Sequence, residues 1–484
     1  MKRRLSLLLP AFLCASVSFA QANKDDAIDL SLASITDITA MGRTGVFPGG
    51  MNGVAFETTC CNVGTSQINW HAAMQSDHPY IVFIVARELN GRFEQISDWS
   101  YVKHGFFALS NSLCDTCTPT DGTVLGLGCS DTYATSNNGD NFWLGPPEEI
   151  DPWLGQWNPV CSHFDRGEPD VGPPNNCNGA RSLTGTQANN LGPVGHRIHV
   201  KDEDLNVAGA TFWFQGMYII ETEGDRVRND NMASRKFTAA WNGTRWNLNE
   251  TGTQTFGSVL SRWVGASVNS SANGVDDGRL YVAAKVTGPV DGFYHYEYAV
   301  QNRDNSRGVN AFRIPVCSGA RVQNLAFGDI DDDAGNDWSA SVAGGEIAWS
   351  TGTNALKWNS IYNFSFDSDA APVSTALALD QANPGPGLPT VLVTSSAPVG
   401  LFNVFLGAGC ANDTPPTLFA TGSPARAALG NATFAIESTG NDGLQPNLLK
   451  YALTLGSHTL GACTLYLGPT AGGSFLASSV TSDV

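Results

Sequence analysis

The sequence predicts an all-β protein: a multidomain β-sandwich architecture with a disulfide-rich, loop-rich N-terminal unit. Three observations point there. Short apolar or alternating runs recur at a spacing of about 8–12 residues, each bounded by Gly, Pro, Asn or Asp. No long segment carries the 3.6-residue period of an amphipathic helix. The composition is rich in turn formers, with 52 glycines and 24 prolines against only 27 lysines and arginines.

Taken from the start, Lys2, Arg3 and Arg4 precede an apolar run from Leu5 to Val17, and Ser18-Phe19-Ala20 forms a small-x-small cleavage site. This is the pattern of a secretory signal peptide over residues 1–20, with the mature chain beginning at Gln21. The apolar run is too short to span a bilayer, and no later stretch reaches the ~18 apolar residues of a membrane helix. Export into an oxidising compartment turns cysteines into disulfides. The ten that follow the signal segment are Cys60, Cys61, Cys114, Cys117, Cys129, Cys161, Cys177, Cys317, Cys410 and Cys463. All ten are expected to be bridged, and most of them staple the N-terminal part.

Strand signals then follow in order. "HPYIVFIVARELNGRFEQI" reads as two strands joined by Asn90-Gly91, a pair suited to a type I′ turn. "ATFWFQGMYII" is a strand rich in aromatics. "GRLYVAAKVTG" (278–288) and "GFYHYEYAVQN" (292–302) alternate with period two. "NAFRIPV", "GGEIAWST" and "WNSIYNFSFDS" complete a strand-rich middle. We expect a Cys-rich β domain over 23–225, a β-sandwich over 226–398, and a small C-terminal β module over 400–484. "DQANPGPGLP" (380–389) is a turn inside the last hairpin or a short linker. The final strand lacks a following partner, so that module is expected to be incomplete.

Several phrases resemble a family of secreted bacterial proteins to which no activity is attached. They are "TTCCNVGT" (58–65), "GRFEQI" (91–96), "KHGFFAL" (103–109), "LGLGCSDTY" (125–133), "HYEYAVQNRD" (295–304), "FRIPV" (312–316) and "NALKWNSIYNFSFDSDAAP" (354–372). The similarity spans roughly 40–375 and implies a class, with no mechanism. "YEYAVQNRDNSRGVNAFRIPV" looks like the strand–turn–strand of bacterial surface sandwiches. The segment from "LGAGC" to "GACTLYL" resembles a module appended to other exported bacterial proteins, which implies surface display or sorting.

The net charge of −18 argues against nucleic acid and anionic lipid as partners. Covalent haem needs C-x-x-C-H, and Thr118 follows Cys117, so haem is excluded. Imidazoles are the copper or zinc candidates: His71, His78, His104, His163 and His199, although their spacing matches no metal template. Asp329, Asp331, Asp333 and Asp337 alternate around Gly335, a pattern that can aim hard oxygens at calcium. The bidentate Glu of an EF-hand is missing, and Ala340 stands there. His295 and Glu297 share one strand face and suggest a general-base pair or a solvated polar contact. Trp143, Trp153 and Trp157 suggest a carbohydrate-stacking platform, or rings that pin a Pro/Gly loop to the core. No G-x-S-x-G elbow is present.

The sequence therefore favours an exported binding or structural protein at the cell surface, with an unknown surface ligand or a polysaccharide as partner and calcium as the expected cofactor. The alternatives are an extracellular copper or zinc enzyme built on the N-terminal histidines, and a polysaccharide-binding or -cleaving protein.

Overall fold

The computed structural model describes residues 24–71, 74–167, 177–273 and 277–400, together with the backbone of short strands between 404 and 477. The expected signal segment over 1–20, Cys410 and the side chain of Cys463 lie outside these residues. The chain is nearly all β, in stacked antiparallel sheets.

The first sheet sets Leu30–Thr44 beside Met51–Asn62, whose other edge pairs with Ser130–Tyr133 and Ile198–Lys201. The second sheet runs in the order Trp246–Phe256, Met232–Trp241, Thr211–Ile219, Tyr80–Leu89, Val102–His104, Leu144–Gly145, with Arg92–Gln95 also paired to Tyr80–Leu89. The third runs Ser267–Ala272, Arg279–Val290, Phe293–Asn302, Ser360–Ser368, Val322–Gly328. The fourth runs Ser339–Ala343, Glu346–Ser350, Val309–Pro315, Val373–Gln381, Thr390–Ala397.

Three apolar cores lie between the four sheets. Side chains alternate across a strand, and "YIVFIVA" shows the consequence. Ile81, Phe83 and Val85 enter the core shared with the first sheet. Tyr80, Val82, Ile84 and Ala86 enter the core shared with the third sheet. A strand buried on both faces must be apolar throughout, and this one is. The third sheet is equally two-faced. Tyr281, Ala283, Ala299 and Ile361 meet the second sheet, while Leu280, Val282, Tyr296, Tyr298 and Phe364 meet the fourth.

The expected boundary at 225/226 is corrected. It falls inside the second sheet, in the loop between the paired strands Thr211–Ile219 and Met232–Trp241. The change of sheet comes after Phe256. Two of the loop's charges, Glu223 and Arg228, are buried at the junction of the two sandwiches. Arg228 donates to Asp304 Oδ2 (2.8 Å) and to the carbonyls of Trp153 (2.9 Å), Glu223 (3.1 Å), Pro152 (3.3 Å) and Ile220 (3.4 Å). Arg303 donates to Asp304 (3.0 Å) and Asp225 (2.6 Å). Burial opposes ionisation of Asp304, yet Arg303 and Arg228 outweigh it and hold the carboxyl at about 2. Burial pushes Glu223 up to about 7.

The turns follow local chemistry. Asn90-Gly91 (φ 52° and 90°) closes the first hairpin, and Asp291-Gly292 (φ 51° and 84°) closes the one over 279–302. Both are the left-handed pairs a two-residue hairpin needs. Residues 382–389 form the turn of the last hairpin, since Asp380 pairs with Thr390.

Candidate functional site

Among the described residues three disulfides are present: Cys61–Cys114, Cys117–Cys129 and Cys161–Cys177. The C-x-x-C pair of 114 and 117 is therefore split between two bridges. Cys60 corrects the expectation that every cysteine is bridged. Neighbours on a strand point to opposite faces; Cys61 reaches the loop and Cys114, while Cys60 is a free thiol inside the first core. Burial pushes that thiol well above its ordinary range, which makes it inert. Any bridge from Cys317 lies outside the described residues.

The two bridges at 61–114 and 117–129 brace a knob formed by residues 105–129, outside the first sheet. Backbone bonds complete the bracing. Ala108 N–H donates to the Gly122 carbonyl (2.9 Å), Thr118 N–H to Leu127 (2.9 Å), and Ser130 N–H to Asn111 (2.9 Å). Asp131 accepts from Leu109 N–H (3.2 Å), and Ser130 Oγ accepts from Leu113 N–H (3.2 Å). On this frame Phe106 turns inward onto His78 and Trp143. Phe107 (59 % exposed), Leu113 (68 %), Leu109 and Leu127 face solvent, as does Val63 on the segment whose backbone bonds Gly128 and Cys129. The knob's ionisable groups are Asp115 and Asp121, with no Lys or Arg between 105 and 129.

Behind the knob lies a buried histidine and aromatic cluster. His78 Nε2 and His104 Nδ1 are 2.8 Å apart, and both rings are buried among Tyr80, Phe106, Trp157 and Phe164. Burial lowers His78 to about 3 and drives His104 well below its usual value. The pair is a neutral packing element. His104 Nε2 presses on Gly145, where an added Cβ would sit 2.8 Å away. Lys103, also buried, lies among the rings of Phe106, Tyr133 and Trp143, and burial lowers it to about 7.

The remaining histidines are dispersed in pairs. His71 Nδ1 meets Asp77 (2.6 Å). His199 meets Asp98 (3.1 Å) and the Val194 carbonyl (2.8 Å), and the Asp98 hydrogen bond raises its pKa. His163 opens a helical turn and lies 5.2 Å from the ring of His196, which stacks on Tyr101. Among the described residues no group of three or more His, Cys, Asp or Glu converges on a point that could hold a metal ion.

The tryptophan platform is corrected. Trp153 and Trp157 are 5 % and 3 % exposed. Lys24 and Arg228 lie over Trp153, and Trp157 donates Nε1 to Glu149 (3.1 Å) beneath the histidine pair. Trp143 is half-buried with Arg181 across its ring. These rings pin the Pro/Gly loop, and a buried face cannot stack on a sugar. A cleft of about 330 Å3 opens beside them, lined by Ser76, Glu149, Asp151, Gln156 and Trp157. Burial raises both carboxyls, but each already accepts from the protein: Glu149 from Trp157 and the His163 N–H, Asp151 from the N–H groups of Trp153 and Leu154.

His295 is corrected as a general base. Nδ1 lies 2.7 Å from Asp367 and Nε2 3.2 Å from Glu297. The Glu297 bond comes first in raising the imidazole to about 9. Both nitrogens donate, so the ring has no lone pair to accept a proton. In the acidic loop, Asp329, Asp331 and Asp333 each accept from the N–H two residues on (3.0, 2.7 and 3.0 Å). Asp332 pairs with Lys201, and Asp337 is exposed.

No protein-family model matches the sequence, and no curated protein matches it. Among solved structures, one similar chain is the collagen binding domain of the Erysipelothrix rhusiopathiae surface protein RspB. The likeness covers 77 % of this chain and 94 % of that one at 7 % identity, with a TM-score of 0.17. At that distance it carries no argument about this chain.

Proposed function

We propose that this is an extracellular binding protein whose braced knob, residues 105–129, engages a protein partner. The observation that carries the reading is the exposure of Phe107, Leu109, Leu113 and Leu127 on a loop fixed by two disulfides. Several large apolar side chains left exposed on one folded segment suit a contact site. A loop already ordered by covalent bridges loses less entropy on binding than a free one. The only charges on the knob are Asp115 and Asp121, so the complementary partner offers apolar side chains flanked by Lys or Arg. Three bridges support an oxidising, extracellular setting.

The test is selection of a displayed random-peptide library against the whole chain. Enriched peptides should combine apolar and basic residues. Their affinity should fall at least about tenfold in the Phe107→Ser, Leu113→Ser double variant. Peptides that bind wild type and variant equally would overturn the reading.

A further inference from the structure

The fourth sheet ends in an edge strand, Ser339–Ala343, that differs from the other long edges of the stack. Proteins protect such edges with charge, proline, a bulge or a covering element. Val322–Gly328, the edge of the third sheet on the same side, is bulged between Gln323 and Ala326, with Asn324 left-handed (φ 55°) and bonded to Asp367. On the far side, Ser267–Ala272 and Thr390–Ala397 lie against each other. Ser339–Ala343 has none of these devices. Its sequence is Ser-Ala-Ser-Val-Ala, its pairing with Glu346–Ser350 is regular, and all five residues are exposed. Among the described residues no strand pairs with its outer side.

The hairpin geometry fixes which backbone groups are free. Gly344 and Gly345 (φ 62° and 84°) make a two-residue turn, so Ala343 and Glu346 form the closing hydrogen-bonded pair. Bonding to the partner strand then alternates. Ser339, Ser341 and Ala343 point their N–H and C=O groups inward, and Ala340 and Val342 point theirs out. Those outward groups are self-complementary about Ser341. In an antiparallel two-fold pairing, Ala340 of one copy faces Val342 of the other, twice, giving four backbone hydrogen bonds. Ser341 meets its own copy in a non-hydrogen-bonded pair.

We propose that Ser339–Ala343 is a homotypic interface: two copies of this chain join through antiparallel pairing of this strand, merging their fourth sheets across a two-fold axis at Ser341. Side chains permit the approach. Ala340 and Val342 lie opposite Trp349 and Ile347, on the core-facing side, so pairing covers Val342, which is 46 % exposed. The other face carries only Ser339, Ser341 and Ala343. A chain of net charge −18 meets itself here along a strand without an ionisable group. A five-residue edge buries less than the ~1,200 Å2 of a permanent complex, so association is concentration-dependent. The interface is independent of the knob.

Sedimentation velocity of the full chain across a concentration series tests this. Wild type should shift from monomer to dimer. Ser341→Lys and Ser341→Glu each place like charges opposite one another and should weaken self-association at least about tenfold. An equimolar mixture of the two variants should dimerise again, because the register pairs position 341 with itself. Three results would overturn the proposal: wild type monomeric throughout, dimers indifferent to both substitutions, or dimers that form only when residues 401–484 are removed. The last would make this chain's own C-terminal segment the occupant of the edge.

Discussion

Arg228 is the side chain whose loss should cost the fold most for its size. It is 2 % exposed and donates five hydrogen bonds, one to Asp304 and four to carbonyls. Arg228→Met keeps much of the volume and removes every donor. Breaking a buried pair by deleting one partner costs about 3–5 kcal/mol. The lower end applies, because neither carboxylate is stranded. Asp304 keeps Arg303 and the Arg279 N–H (2.8 Å), and Glu223 keeps the Leu30 N–H (2.9 Å) and Asn231. About 3 kcal/mol is a loss of roughly a hundredfold in the folding equilibrium. Urea unfolding followed by tryptophan fluorescence and near-ultraviolet dichroism measures it. Asp304→Asn should also destabilise, and the double variant should cost less than the two singles added, by about 1.5 kcal/mol or more. An Arg228→Met protein within about 0.5 kcal/mol of wild type, or strict additivity, would refute the view that this network fastens the two sandwiches.

Other expectations follow from the same contacts. His295 sits at about 9 in the fold, above its unfolded ~6.5. Its contribution is full below pH ~6.5 and lost as pH rises through about 9. Its side chain is 49 % exposed, so solvent screening holds the effect below about 1 kcal/mol. His295→Gln should destabilise near pH 6 and be neutral near pH 10, and an imidazole NMR titration should give a midpoint near 9. Removing Cys61–Cys114, which spans 53 residues, should cost ~4 kcal/mol of chain entropy; removing Cys117–Cys129, which spans 12, should cost ~3 kcal/mol. Calorimetry of the paired Cys→Ala variants checks both. Gly145→Ala drives a Cβ to 2.8 Å from His104 Nε2 and should cost about 1–3 kcal/mol. Most of that penalty should vanish in a His104→Ala background. An equal penalty in both would show that His104 is not the obstacle.

The all-β class was legible because period-two alternation and turn pairs are local. Asn90-Gly91 closes its hairpin as its chemistry demands, and "YIVFIVA" announces a strand buried on both faces. The stacking of four sheets was not legible, since nothing local says that Ala299 and Ile361 will meet Val82. The boundary was misplaced for a related reason. The cysteines end well before 225, so the boundary was drawn from their distribution, and only the folded chain brings Arg228 to Asp304, 76 residues away. The histidines were countable but not placeable. His78 and His104 meet because Tyr80 pairs with His104 across neighbouring strands, whereas His71 and His199 find separate aspartates. The tryptophans left two readings open because burial is a tertiary property. For the knob, the signal was in "KHGFFALSNSLC": apolar residues scattered through a hydroxyl-rich, bridged loop that lacks any Lys or Arg beyond Lys103. Whether Phe106 or Phe107 faced outward was not readable without the strand that ends at His104.

We propose the braced knob as the binding face of the four-sheet body. Hydrogen–deuterium exchange of the full chain, with and without a selected apolar–basic peptide, is the decisive measurement. New protection should be confined to residues 105–129 and the adjoining 62–64. Protection centred instead on the cleft of Ser76, Glu149, Gln156 and Trp157, with the knob unchanged, would contradict it.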